Sequence, residues 1–180
     1  YIRTGVQRGI TYGTSESLSC ILDGYFTASQ SRGFCGYDSG GQLGQSSGNW
    51  STESGTSSVS ALTRTTVLQV MNFSSAYDRL YVNGSQIATR AMGTASPYAS
   101  SADYPLFVAY NKSLGYAYYP AKLRLYSFKM YRGDYFTSPS SCTLIRDFIP
   151  VKNTNNEIGL LDKVENKFYR NLGGEDFIAG

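Results

Sequence analysis

The chain carries thirteen acidic side chains and no histidine, and that inventory limits the chemistry open to it. Hydrolysis of a glycosidic bond with retained configuration needs two carboxyl groups about 5 Å apart. Acids at positions i and i+4 of a strand would share a face and meet that need, but no strand-like run here contains such a pair. The adjacent acids Glu175-Asp176 would point to opposite faces if extended, and they lie in a glycine-rich tail. Without histidine, neither a Ser-His-Asp nor a Cys-His relay can form within the chain. The run GGQLGQSSGNW lacks the lysine and the following helix of a phosphate-cradling loop. Catalysis is therefore not expected.

Binding is the chemistry that these residues allow. An apolar floor with a few polar groups around it makes a ligand site, and sugars in particular stack their C–H faces on aromatic rings. Trp50, the only tryptophan, stands between Asn49 and Ser51 in a polar stretch. It either caps the end of the fold or waits for a ligand. The run YNKSLGYAYYP holds Tyr110, Asn111, Tyr116, Tyr118 and Tyr119; Tyr116 and Tyr118 share a face if extended. Tyrosine offers rigid contact area and a hydroxyl at low entropic cost, although its β propensity also places it on ordinary sheet faces. Tyr37 with Asp38, beside a glycine turn, and Tyr98 with Tyr104 form weaker sets.

Calcium would need Asp and Asn oxygens together with backbone carbonyls. Asp38, Asp103 and Asn111 are the available donors, but no spaced acidic loop joins them. No cofactor is expected, and only a weak calcium site stays open. Cys20, Cys35 and Cys142 form no CxxC pair, which removes the usual zinc and redox motifs. Three thiols are expected rather than a disulfide with one cysteine left over. Asn-X-Ser sequons at Asn49, Asn72, Asn83 and Asn111 arise readily in so serine-rich a chain.

The elements that must position these groups are strands. At 180 residues the chain suits one domain spanning 1–180. Nineteen glycines against five prolines, with sixteen tyrosines, fit a β protein with many turns. Strands are expected at Ser17–Thr27, Thr65–Phe73, Tyr104–Asn111 and Ala121–Arg132, with two short ones within Gly33–Gln45. Val67 to Met71 is apolar at both parities, as in a strand covered on both faces. Asn83-Gly84 between Asp78–Val82 and Ser85–Arg90 supplies the positive φ angles of a type I′ hairpin. In AKLRLYSFKMYR the apolar parity slips between Leu125 and Phe128, the mark of a β-bulge near Tyr126-Ser127. TLIRDFIPV, EIGLLD and KFYRN add three short strands, for about ten to twelve in all, a sandwich or a barrel.

The net charge is +3, but basic residues are scattered from Arg3 to Arg170 without a phosphate-tracking run, so nucleic acid is not an expected partner. No apolar run reaches the length of about 18 residues that a membrane helix needs. A start at Tyr1 without methionine suggests a processed product or an excised domain.

The ending LIRDFIPVKNTNNEIGLLDKVENKFYRNLGGEDFIAG, with KLRLYSFKMYRG before it and RLYVNGSQI and YPLFVAYNKSLG further back, resembles the concanavalin A-like, laminin-G-like jelly-roll domains of bacterial surface and phage structural proteins. The resemblance spans roughly residues 73–180. It implies an all-β, two-sheet antiparallel jelly-roll sandwich that binds a glycan or cell-surface polysaccharide, or possesses an adhesive role, outside the cell, on its surface or on a virion. A structural role that binds only other protein subunits is the rival expectation, and a glycan hydrolase of the same fold is the remote one. In this signature Asp147, Asp162 and Lys163 are expected to bond turn backbone and pair charges.

Overall fold

The computed structural model describes residues 17–26, 35–37, 62–72, 75, 77–91, 106–108 and 123–170. Ten strands run through them: β1 (Ser17–Phe26), β2 (Cys35–Tyr37), β3 (Thr63–Asn72), β4 (Tyr77–Val82), β5 (Ser85–Ala91), β6 (Leu106–Val108), β7 (Leu123–Arg132), β8 (Thr143–Lys152), β9 (Ile158–Asp162) and β10 (Lys167–Arg170). Eight of them make one sheet in the order β10-β9-β8-β7-β1-β3-β4-β5, and β2 with β6 makes a second. Every pairing is antiparallel. The fold is thus an all-β antiparallel sandwich with its strands divided between two sheets. Its helical content among the described residues is a single 3-10 turn, Pro139–Ser141.

Alternation decides which face is interior. Leu18, Cys20 and Leu22 of β1 lie beside Met71, Gln69 and Val67 of β3 and, for the latter two, Met130 and Phe128 of β7; all of them are buried. Phe148 and Leu160 continue this interior layer onto β8 and β9. Val70 is buried from the other side of β3, so the double-sided apolar run in that strand is covered on both faces as its composition requires.

The two local signals read from the sequence are both present. Asn83 and Gly84 have φ of 49° and 82°, the left-handed pair that joins β4 to β5. The turn is also tied sideways to β3: the Asn83 N–H donates to the Thr66 carbonyl at 2.8 Å, and the Thr66 N–H donates to Asn83 Oδ1 at 3.0 Å. On β7, Ser127 pairs with Asp23 and Leu125 with Gly24, leaving Tyr126 without a partner on β1. That extra residue is the bulge which the parity slip demands. Pro150 lies two residues beyond Phe148, where the pairing of β8 with β7 ends, so its missing N–H costs no ladder bond there.

Cys20 and Cys142 carry thiols rather than a disulfide. Burial pushes the Cys142 thiol above its ordinary range.

Candidate functional site

Of the side chains proposed from the sequence, Asp38, Asn49, Trp50, Tyr110, Asn111, Tyr116 and Tyr118 lie outside the described residues, as do Asp103 and Tyr98. Tyr37 ends β2, where its backbone pairs with Leu106. The described residues bring together a different set, on the outer face of the large sheet.

That face follows from register. Paired residues of an antiparallel ladder project to the same side. Arg64 of β3 and Arg124 of β7 therefore flank Tyr25 of β1, Thr66 and Ser127 flank Asp23, and Leu68 and Lys129 flank Ile21. These β1 residues are the parity opposite Leu18, Cys20 and Leu22, so they stand away from the core. Arg64 is 65% exposed and Asp23 22% exposed. The Arg64 guanidinium donates to both oxygens of Asp23, from Nη2 at 2.8 Å and from Nε at 3.3 Å. It also lies over the ring of Tyr126, 4.5 Å from the centroid. The carboxylate partner raises the Arg64 pKa, so the fork stays charged.

The bulge is what makes this cluster. With Tyr126 left out of the β1 ladder, its ring reaches the guanidinium that arrives from β3 across β1. A fork held at both ends presents its remaining N–H groups in one geometry. Beside it stand a carboxylate that accepts hydrogen bonds and the rings of Tyr25 and Tyr126. Such a surface can bind a polyhydroxylated, partly apolar ligand without moving a proton.

The other end of the same face is closed by the β7–β8 connection, residues 133–142. Ser19 Oγ donates to the Gly133 carbonyl at 2.7 Å and accepts from the Tyr135 N–H at 3.0 Å. Asp134 Oδ1 accepts the N–H groups of Phe136 and Thr137, and its Oδ2 accepts the Tyr77 hydroxyl at 3.2 Å. Phe136 stacks on the buried Tyr81 at 4.0 Å, and Tyr135 leans on Tyr131 at 4.5 Å. The rings at this end are spent on holding the loop.

The remaining acidic cluster is structural. Asp162 Oδ1 accepts the N–H groups of Asp147 and Val164 at 3.1 and 3.0 Å, which fixes the turn between β9 and β10. Lys163 pairs with Asp147 at 3.2 Å, and Arg146 reaches Glu165 at 2.8 Å. Asp147, Asp162 and Lys163 thus bond turn backbone and pair charges, as their place in the sequence signature implies. Among the described residues no group of three or more acidic or thiol side chains is arranged to hold a metal, and no helix is long and apolar enough to cross a membrane.

Tyr169 completes this corner: its hydroxyl donates to Glu165 Oε2 at 2.8 Å and its ring meets Phe148 edge-on at 5.7 Å. Burial, then the bond to Glu165, push its pKa well above the ordinary tyrosine value. Burial also raises Tyr81 and Tyr131. A raised folded-state pKa means that the neutral phenol is favoured on folding. That contribution is whole below about pH 10, the unfolded value, and is lost as pH climbs through the folded one. The urea midpoint should accordingly fall between about pH 9 and about pH 11, and Tyr169→Phe should flatten the fall. Equal slopes in the two proteins would show that Tyr169 does not carry it.

An all-β sandwich with an aromatic and charged outer face is the class that these observations define. Neither family models nor curated proteins give a match to the chain. Among solved structures it is similar to the crystal structure of a "putative carbohydrate binding protein" from Bacteroides ovatus, with a TM-score of 0.58 at 10% sequence identity. The superposition covers 96% of this chain and 58% of that one, so the chain spans little more than half the length of its neighbour. Likeness at this identity is likeness of fold.

Residue type does not single out Tyr25, Asp23, Arg64 and Tyr126, because each looks ordinary in its own strand. The parity slip at Tyr126-Ser127 was the one local sign of them. Arg64 is separated from Asp23 by 41 positions, and only the β1–β3 register joins them.

Proposed function

We propose that the chain is a non-catalytic carbohydrate-binding or adhesive module of a larger bacterial surface or phage protein, acting outside the cell or on a virion. Sugar binds the open end of the outer face, where Tyr25 and Tyr126 receive the C–H surface of a ring. Asp23 and the free N–H groups of Arg64 bond adjacent hydroxyls. The observation that carries the reading is the bulged Tyr126 joined to the Asp23–Arg64 fork on exposed sheet. The fold shared with a protein named for carbohydrate binding supports it. Charge-assisted bonds from a pre-positioned fork and ring contacts each contribute on the order of 1 kcal/mol, so losing the ring weakens binding about fivefold.

Glycan-array screening followed by calorimetry tests this. The wild-type chain should bind an oligosaccharide without releasing products, and Tyr126→Ala and Asp23→Ala should each weaken that binding about fivefold or more. Binding unchanged in both variants would place the site elsewhere. A silent array would favour the protein-only structural role, and product release would restore the hydrolase.

A further inference from the structure

The open end of the outer face is unevenly charged. Arg64 is neutralised by Asp23 at 2.8 Å. Arg124, exposed and directly across from Tyr25 on the other side of β1, has no hydrogen bond or ion pair among the described residues. Two rows along the same face stands Lys129, opposite Ile21. Its cross-strand neighbour on β8 is Asp147, which is already paired with Lys163. Among the described residues Asp23 is therefore the acid that this end of the face offers to three cations, and it is engaged by one of them. The surplus sits beside an aromatic ring that nothing else in the described structure covers with a cation.

We infer that the ligand of this face is an acidic glycan, a chain of sugars bearing ring carboxylates, with one carboxylate docked on Arg124 while its ring lies on Tyr25. The inference rests on the sugar-binding reading of the face and narrows it. A guanidinium presents parallel N–H groups that match the two oxygens of a carboxylate, and charge-assisted bonds of this type are the stronger ones. The Arg64–Tyr25–Arg124 row spans three adjacent strands. A saccharide crossing it would meet a donor fork with its own acceptor on one side and an unneutralised fork on the other. Hydroxyls suit the first and a carboxylate the second. Lys129 adds a point charge that attracts a polyanion and is screened by salt.

The test uses the whole chain and a panel of uronate oligosaccharides (oligogalacturonate, oligomannuronate and hyaluronan oligomers), each compared with its methyl ester. Calorimetry should show at least one free acid bound about tenfold more tightly than its ester, the difference shrinking as salt rises. Arg124→Gln should abolish the preference and leave ester binding and the melting temperature unchanged, since the residue is exposed; Arg124→Lys should restore part of it. Esters bound as tightly as acids, or a preference that survives Arg124→Gln, overturns the inference. If ester binding persists and is lost in Tyr126→Ala, the sugar-binding face stands and only the acidic ligand falls. If no acid and no ester binds, the acidic ligand falls, and the sugar-binding face then stands or falls with the glycan array.

Discussion

Replacing Asp162 with alanine lowers the stability of the chain by about 3–5 kcal/mol, the range for removing one partner of a buried charge pair. The carboxylate is fully buried, 0% exposed. One oxygen accepts two backbone N–H groups. The other lies 3.4 Å from Arg146 Nε, an ion-pair distance without hydrogen-bond geometry. Alanine strands the buried Asp147 N–H and leaves Arg146 with Glu165 as its remaining acidic partner. Asp162→Asn separates the two effects. Its carbonyl oxygen still accepts the backbone donors, while its amide brings N–H groups towards the guanidinium. The asparagine variant should therefore retain part of what alanine loses. An unfolding free energy from urea titration of Asp162→Ala within about 1 kcal/mol of wild type would show that the turn does not depend on this carboxylate.

Phe148→Ala should cost as much, about 3–5 kcal/mol, the usual price of emptying a ring-sized volume in a core that cannot collapse. Phe148 is 0% exposed. It lies offset and nearly parallel to Phe128 with centroids 6.2 Å apart, and it takes Tyr169 edge-on at 5.7 Å. One ring thereby joins β7, β8 and β10 on the interior face. Phe148→Leu keeps most of the apolar area and loses the two ring–ring contacts, each about 0.5–1.5 kcal/mol; the leucine variant should fall between the other two. Phe148 also stands directly across from Asp162 in the β8–β9 ladder. Residues in contact do not contribute independently, so the double variant should lose less than the two single losses added. Strict additivity in chemical denaturation would mean that the two form separate parts of the core.

How much of this was legible in the sequence depends on the range of the interaction. The Asn83-Gly84 turn was readable because φ preference is a property of a residue and its neighbour, and the flanking alternation needs only a few positions. The Tyr126 bulge was readable for the same reason: period two is a local rule, and its violation shows in one strand. The strands themselves, the all-β class and the turn-bonding roles of Asp147, Asp162 and Lys163 follow from short-range patterns, and those roles also from the resemblance of the C-terminal run.

The candidate face on the large sheet is not readable in that way. Clustering along the chain points to Tyr110 to Tyr119, and rarity to Trp50, all of which lie outside the described residues. The described face takes one or two residues from each of three strands. Asp23 and Tyr25 come from β1, Arg64 from β3, and Arg124 and Tyr126 from β7, a strand that begins almost a hundred positions after β1 ends. The sequence by itself determined that this chain makes strands, where one hairpin turns, where one strand bulges, and that no histidine-based catalysis is available. Tertiary structure alone decided that β1 lies between β3 and β7, and hence which cations flank Tyr25 and which of them Asp23 neutralises. The physical reason is that strand order is set by burial of the whole interior layer, summed over many weak contacts, whereas alternation and turn preference are fixed within a few residues of chain.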